Sequence, residues 1–380
     1  MPCFRCREDC YPKERLLIQP IKLYLITAIA SKYFFCVLRL SQKGMVIKMK
    51  AMLIKDGGRL EWSDVATPVI KPDEVLVKVK FAAVNRADLM QREGLYPSPQ
   101  GCPDWCGLEI SGEIAETGAL VSEKSIWKKG DKVCALLGGG GYAEYVAVKY
   151  DMLMPIPANC TMIEAAAMPE AFATAYLNLF YEGGLKEGDV LLMNAGASGL
   201  ASVVIPMAKV FGAYVITTII DESKRETVAK TGADLIVNTK SENIVEVLKR
   251  FESEGRPIAL AIDCLGGEIV ADCLPHLRYM GKWIMIATLA GDIAPVDMRK
   301  LYVKNVRLVG STLRSKPQEV KAEILKRLVE KVWDKVSDGE IRPAIFAVMP
   351  ITEAEKAHDL LYSGKSAGKV VLKVCNEVIE

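Results

Sequence analysis

Histidine is almost missing: the 380-residue chain has two, His276 and His358. Imidazole is the commonest metal ligand and the side chain that titrates nearest neutrality, so this scarcity leaves little material for histidine-based metal or acid–base chemistry. The eleven cysteines are odd in number and scattered, without the regular spacing of a disulfide framework. A disulfide-stapled fold is excluded on that ground, and a reducing compartment, the cytoplasm, is expected. Excess charge is lacking as well. A net charge of +2 is far short of what neutralising a phosphodiester backbone requires, so no nucleic-acid partner is expected. No apolar run reaches the ~20 residues that span a bilayer. The most apolar stretch, 16–40, is broken by Lys22 and Lys32.

What is present is the composition of a globular chain, 51% apolar and 25% charged, long enough for two domains. Residues 1–48 stand apart, with nine Lys/Arg against three Asp/Glu. They read as a poorly ordered extension, with Met45 or Met49 as the working initiator; the competing reading is an organellar address. From Met49 onward short strands appear. Val75, Val77, Val79 and Phe81 alternate with Leu76, Lys78 and Lys80, the period of a half-buried strand. Runs over 131–137 and 142–148, parted by Gly138 to Gly141, extend this to a compact β domain.

Beyond about residue 165 the pattern becomes strand, helix, strand. Apolar runs at 190–193, 214–218, 235–237, 258–262, 283–286 and 307–309 are separated by lengths suited to crossover helices. Six such runs predict a doubly wound parallel sheet. A charged helix over 317–336 and a last strand over 369–374 follow.

The first of these runs ends in Asn194-Ala195-Gly196-Ala197-Ser198-Gly199-Leu200-Ala201. Small residues between a parallel strand and a helix let backbone N–H groups and the positive helix end approach a pyrophosphate. The three glycine positions of the G-x-G-x-x-G fingerprint hold Gly196, Ser198 and Ala201, so position in the fold carries this reading more than the letters do. Gly196, Ala197, Ser198, Gly199 and Leu200 are the expected cofactor contacts. Pro206, inside the following helix, predicts a kink. The second run ends at Thr217-Thr218 without the carboxylate that NAD sites carry ~20 residues past the glycines. Ser223, Lys224 and Arg225 stand just beyond as donors for a 2′-phosphate, which favours NADPH; Asp221 and Glu222 compete for an NAD-type contact.

Further segments carry a family likeness: Asn85 to Arg92, Gly94-Leu95-Tyr96, Gly107 to Gly112, Leu153 to Pro157, Ala165 to Ala171, Ser311 to Ser315 and Gly368 to Leu372. Together, and in this order from about residue 49 to the end, they resemble the zinc-independent quinone oxidoreductase branch of the medium-chain dehydrogenase/reductases. The resemblance implies an α/β chain: a GroES-like, β-rich catalytic domain from 49–167 and 313–380, a Rossmann NADPH-binding domain over 168–312, and a homodimer. It also implies a substrate-pocket tyrosine at Tyr96, a serine beside the cofactor at Ser198, a nicotinamide contact at Asn85, a 2′-phosphate lysine at Lys224 and, at the domain junction, a cofactor-binding lysine at Lys369. Thr239 stands where some members have a tyrosine near the adenosine phosphate.

Zinc members of the superfamily need three protein ligands. Where they carry Gly-His-Glu this chain has Gly107-Leu108-Glu109, and Asn85 replaces the ligand cysteine. Cys102 and Cys106 lack partner ligands, so no metal is expected. The function expected is NADPH-dependent reduction of a quinone, with Tyr96, Ser198 and Arg314 as catalytic residues. Tyr96 orients the carbonyl and donates a proton, while Arg314 adds positive charge or forms an interdomain salt bridge. Reduction of enones or 2-enoyl thioesters is the alternative within enzymes; outside them, it is a low-turnover NADPH-binding structural or RNA-associated protein.

Overall fold

The computed structural model describes residues 48–364, 366 and 368–374; of the 1–48 extension all but Lys48 falls outside them, and Lys48 opens the first strand. The first strands, β1 (Lys48–Ile54) and β2 (Leu60–Ala66), pair as an antiparallel hairpin. Next come β3 (Glu74–Ala83), β4 (Glu109–Thr117), β5 (Lys132–Leu136), β6 (Tyr145–Lys149) and β7 (Leu153–Pro155). In β3 the alternate residues Val75, Val77, Val79 and Phe81 are all buried, as their period requires. The last two strands, β14 (Ile345–Pro350) and β15 (Lys369–Lys373), join this group, giving a sheet in the order β14-β15-β3-β4-β5-β7 with β6 also paired to β3. The tail therefore completes a sheet begun near residue 74.

The middle of the chain forms a second sheet: β8 (Val190–Met193), β9 (Tyr214–Ile219), β10 (Leu235–Asn238), β11 (Ile258–Asp263), β12 (Leu277–Met285) and β13 (Arg307–Gly310). All its neighbours are parallel, in the order β10-β9-β8-β11-β12-β13. This is the doubly wound order, and its direction reverses between β8 and β11, where the carboxyl ends open a crevice. Strand positions follow the expected runs closely. The exception is β12, which starts six residues before the Trp283 run; Met280, at φ 59, and the exposed Tyr279 interrupt its apolar pattern.

The helices that position the site are α1 (Arg86–Arg92), α2 (Pro169–Tyr176), α3 (Ala201–Val210), α4 (Ile244–Ser253), α5 (Gln318–Ser337) and α6 (Ala354–Tyr362). In α5 the buried Ile324, Leu325, Leu328, Val332, Trp333 and Val336 form one face at helical spacing, and Trp333 meets Phe172 of α2 edge-on. The kink expected at Pro206 is not a break, because α3 is helical on both sides of it. Pro206 is its sixth residue, so the bond it cannot donate is the one Ser202 would accept near the first turn. No helix among the described residues is long and apolar enough to cross a membrane.

Trp283 is the largest fully buried side chain among the described residues, and its Nε1 donates to Asp263 Oδ2 at 3.3 Å. Trp283→Ala is expected to cost ~3–5 kcal/mol through the cavity it leaves. Urea titration checks this: the midpoint falls while the slope stays constant, and an unchanged midpoint would contradict this packing.

Candidate active site

The glycine turn leaves β8 at the switch point. Asn194 reaches across to β11, its Nδ2 donating to Asp263 Oδ1 at 3.1 Å, while Thr218 Oγ1 donates to Asn194 Oδ1 at 3.2 Å. These buried bonds fix the strand ends on both sides of the crevice. Gly196 N donates to Thr218 O at 2.7 Å, and a Cβ at Gly196 would lie 2.4 Å from Thr217 Oγ1, so the turn admits no side chain there. Ser198 Oγ accepts from Ala201 N at 3.1 Å and so caps α3. The N–H groups of Ala197, Gly199 and Leu200 find no acceptor among the described residues. Three free donors beside a helix start are what a pyrophosphate requires.

On the far side of the turn, Gly199 packs against the tail strand, its Cβ position 3.6 Å from Lys369 Cδ. The Lys369 stem runs past the turn into a buried cluster. Its Nζ donates to Val84 O at 3.1 Å and Asn85 Oδ1 at 2.6 Å, and pairs with Glu109 Oε1 at 2.6 Å. All three ammonium hydrogens therefore have protein acceptors. Asn85 Nδ2 donates to the same Glu109 oxygen at 3.0 Å, and Glu170 N at the start of α2 donates to Glu109 Oε2 at 2.9 Å. The fold thus brings Gly199, Asn85 and Lys369 together at one junction.

Below it, Asp88 caps α1, taking Asn85 N and Gly107 N at 2.8 Å each. Its burial pushes the carboxyl up to about 6 against those two bonds. Gly107 has φ +111 and a Cβ there would sit 2.5 Å from Gly141 Cα, so the loop over 138–141 closes directly on the Gly107 turn. His358 is buried, its Nε2 3.2 Å from Tyr142 Oη, and burial holds its pKa down to about 3. His276 faces Glu252 on the Rossmann side. Among the described residues no three His, Cys, Asp or Glu side chains converge as metal ligands.

The other wall holds Tyr96 and Arg314. The guanidinium stacks on the Tyr96 ring, 4.7 Å from its centroid. The salt bridge considered for Arg314 is not formed. Its nitrogens donate instead to Gly138 O at 2.7 and 2.9 Å, Gln91 Oε1 at 2.9 Å and Tyr96 O at 3.3 Å. A buried cation held by neutral acceptors keeps its full positive charge in the wall. The Tyr96 hydroxyl has no hydrogen-bond partner among the described residues, and its pKa is raised by burial against the pull of Arg314.

At the adenosine end β9 runs one residue beyond the expected strand end, to Ile219. Asp221 then caps the following turn, accepting Ser223 N at 3.0 Å and Ser223 Oγ at 2.8 Å. A carboxylate does stand near this tip, but its Oδ1 is occupied by Ser223. Lys224 ends that turn. Arg225 faces Glu222 and Glu242 and donates to Ile236 O, so its guanidinium is engaged within this corner. Thr239 Oγ1 donates to Ile219 O at 3.3 Å, closing the same corner. Sequence reasoning missed Gln91, Glu109 and Glu170. Gln91 and Glu109 lie inside segments read only as family motif; for Glu170 the signal was a carboxylate one residue after a proline helix start.

Comparison with known proteins agrees with this geometry. Residues 71–158 match the family model "Alcohol dehydrogenase GroES-like domain" and 199–330 the model "Zinc-binding dehydrogenase". A relative from Nematostella vectensis, "Quinone oxidoreductase-like protein 2 homolog", is 31% identical over 81% of this chain and 83% of its own length. The chain belongs to the quinone oxidoreductase branch of the medium-chain dehydrogenase/reductases. Quinone oxidoreductase of Sus scrofa is 28% identical over 82% of this chain and 92% of its own. A mycobacterial protein solved as a complex with NADPH superposes with a TM-score of 0.75 at 25% identity, covering 86% of this chain and 100% of that one. As a member of this branch, the protein is an oxidoreductase that binds a nicotinamide coenzyme, with the GroES-like and Rossmann architecture of its relatives.

Replacing Lys369 by Met leaves Glu109 buried without its counter-ion, an expected loss of ~3–5 kcal/mol in urea titration. The double variant Lys369→Met/Glu109→Gln should recover much of it. No recovery would show that packing, and not charge, makes Lys369 necessary.

Proposed function

We infer that the protein reduces quinones with NADPH and without a metal. The observation that carries this reading is the junction of the glycine turn, with its three free N–H groups, and the Asn85–Lys369 corner. Ala197, Gly199 and Leu200 would hold the pyrophosphate through their free N–H groups, Gly196 would shape the turn around it, Ser198 would support that turn through its cap on α3, and Asn85 would face the nicotinamide end. Ser223 and Lys224 would meet the 2′-phosphate, with Ser223 exchanging its bond to Asp221. When bound, the reduced nicotinamide supplies the hydride. Asn85 and Leu108 occupy ligand positions of the zinc members, and neither is a zinc ligand of that type. Polarisation would fall to hydrogen bonds and to fixed charge. The free Tyr96 hydroxyl would orient the carbonyl oxygen, and Arg314 behind its ring would stabilise the oxyanion that develops. A quinone suits so mild a site because it gains aromaticity on reduction.

Anaerobic oxidation of NADPH and NADH against quinones, enones and enoyl thioesters tests this. NADPH with quinones should be fastest; saturable NADPH binding with no oxidation by any acceptor would favour a binding protein instead. Tyr96→Phe should lower kcat ~100-fold while leaving NADPH affinity unchanged. Unchanged turnover would remove Tyr96 from the reaction.

The same reading includes a homodimer. The outer edge of β13 is unpaired among the described residues, and an uncovered edge invites strand addition. Around it Leu308, Tyr279, Met280, Tyr302 and Val303 are exposed. A second copy pairing β13 to β13 would cover this apolar edge and continue the parallel-sheet layer across a two-fold axis. Sedimentation should give twice the chain mass for the wild type and a monomer for Leu308→Lys; a wild-type monomer would overturn it.

A further inference from the structure

Glu170 has no ion-pair partner among the described residues, and its carboxylate, unlike that of the equally unpaired Asp88, takes no backbone N–H. It stands in the first turn of α2, its own N–H held by Glu109 Oε2 at 2.9 Å. The only hydrogen bond to its carboxylate among the described residues is a 3.5 Å contact from Thr174 Oγ1. Every surrounding element contributes a charged or titratable group: Glu109 from β4, Lys369 from β15, Asp88 from α1, Tyr96 from the loop after α1, Arg314 from the loop after β13 and Lys321 from α5. The cations among them are already committed. Lys369 is bound three times over, Arg314 donates to carbonyls and Gln91, and Lys321 Nζ donates to Arg314 O at 2.8 Å.

We propose that Glu170 is the proton donor of the reaction, delivering its carboxyl proton to the substrate oxygen left negative after hydride addition. The role rests on the reductase reading above. Hydride brings two electrons and one hydrogen to the substrate and leaves one oxygen as an anion. The Glu170 O–H bond breaks as a new substrate O–H bond forms, directly or through one water, and the carboxylate recovers its proton from solvent. A proton donor at neutral pH must still hold its proton there. Burial, with the nearby charges of Glu109 and Asp88, pushes the Glu170 carboxyl up to about 7, and Lys369 and Arg314 oppose this only in part. Tyr96 then orients the oxygen, and the proton comes from Glu170.

A merely structural role is available to Glu170 as well, since a negative charge in the first turn of a helix favours that helix. The test therefore reads more than rate. Glu170→Gln, in the full chain, should bind NADPH in fluorescence titration as tightly as the wild type, lose ~100-fold in kcat, and lose the decline in rate that the wild type shows as pH rises through about 7. Glu170→Asp should recover part of the rate. In infrared spectra of the resting protein, a carboxylic-acid band should vanish between about pH 6 and 8 in the wild type and be missing from Glu170→Gln. A variant with wild-type kcat and pH profile, or a wild type without that band at about pH 6, overturns the proposal. A wild type that shows the band and binds NADPH yet reduces no acceptor sinks the reductase reading, and the donor role falls with it.

Discussion

The buried pair between Lys369 and Glu109 is the constraint on which the site depends. It joins β15 to β4, and through Glu109 it fixes both Asn85 and the first turn of α2. Taking two charges out of water costs several kcal/mol per ion, offset only when geometry and further hydrogen bonds are good. Here both ions are well supplied: Lys369 uses all three of its hydrogens, and Glu109 accepts on both oxygens. Because the Lys369 stem also packs against Gly199, the same pair sets the distance between the glycine turn and the catalytic sheet.

Charge is distributed unevenly across the cleft. On one side carboxylates meet a single lysine; on the other Arg314 keeps its charge against neutral acceptors, with Lys321 nearby. A hydride acceptor becomes negative as it reacts, so a wall with uncancelled positive charge and an acid whose carboxyl is pushed up by burial are complementary to the product of that step. No comparable arrangement surrounds His358, whose burial beside Tyr142 makes it part of the core under the Gly107 turn.

Much of this was legible in the residues themselves. Apolar runs of strand length located the six strands of the parallel sheet, because buried parallel strands are continuous in hydrophobicity. The glycine turn was legible from its place between strand and helix even with Ser198 in a glycine position. What stayed hidden depends on contacts far apart in sequence. Nothing local to Lys369 announces Glu109, 260 residues away by the numbering, and nothing in Arg314 announces Gly138 or Gln91. At the end of β9 a one-residue extension of the strand changes what Asp221 can reach, a difference smaller than periodicity resolves. Glu170 was readable as a helix-start residue, but its unpaired state is a property of six surrounding elements at once.

The proposed function requires that hydride pass to the acceptor in a cleft that needs no metal. Anaerobic single-turnover oxidation of NADPH by a quinone, in protein treated with a strong chelator and compared with NADPH deuterated at the transferring position, tests it most directly. Undiminished oxidation after chelation, slowed by the deuterium, is the expected result; loss of oxidation on chelation with recovery on adding zinc would contradict it.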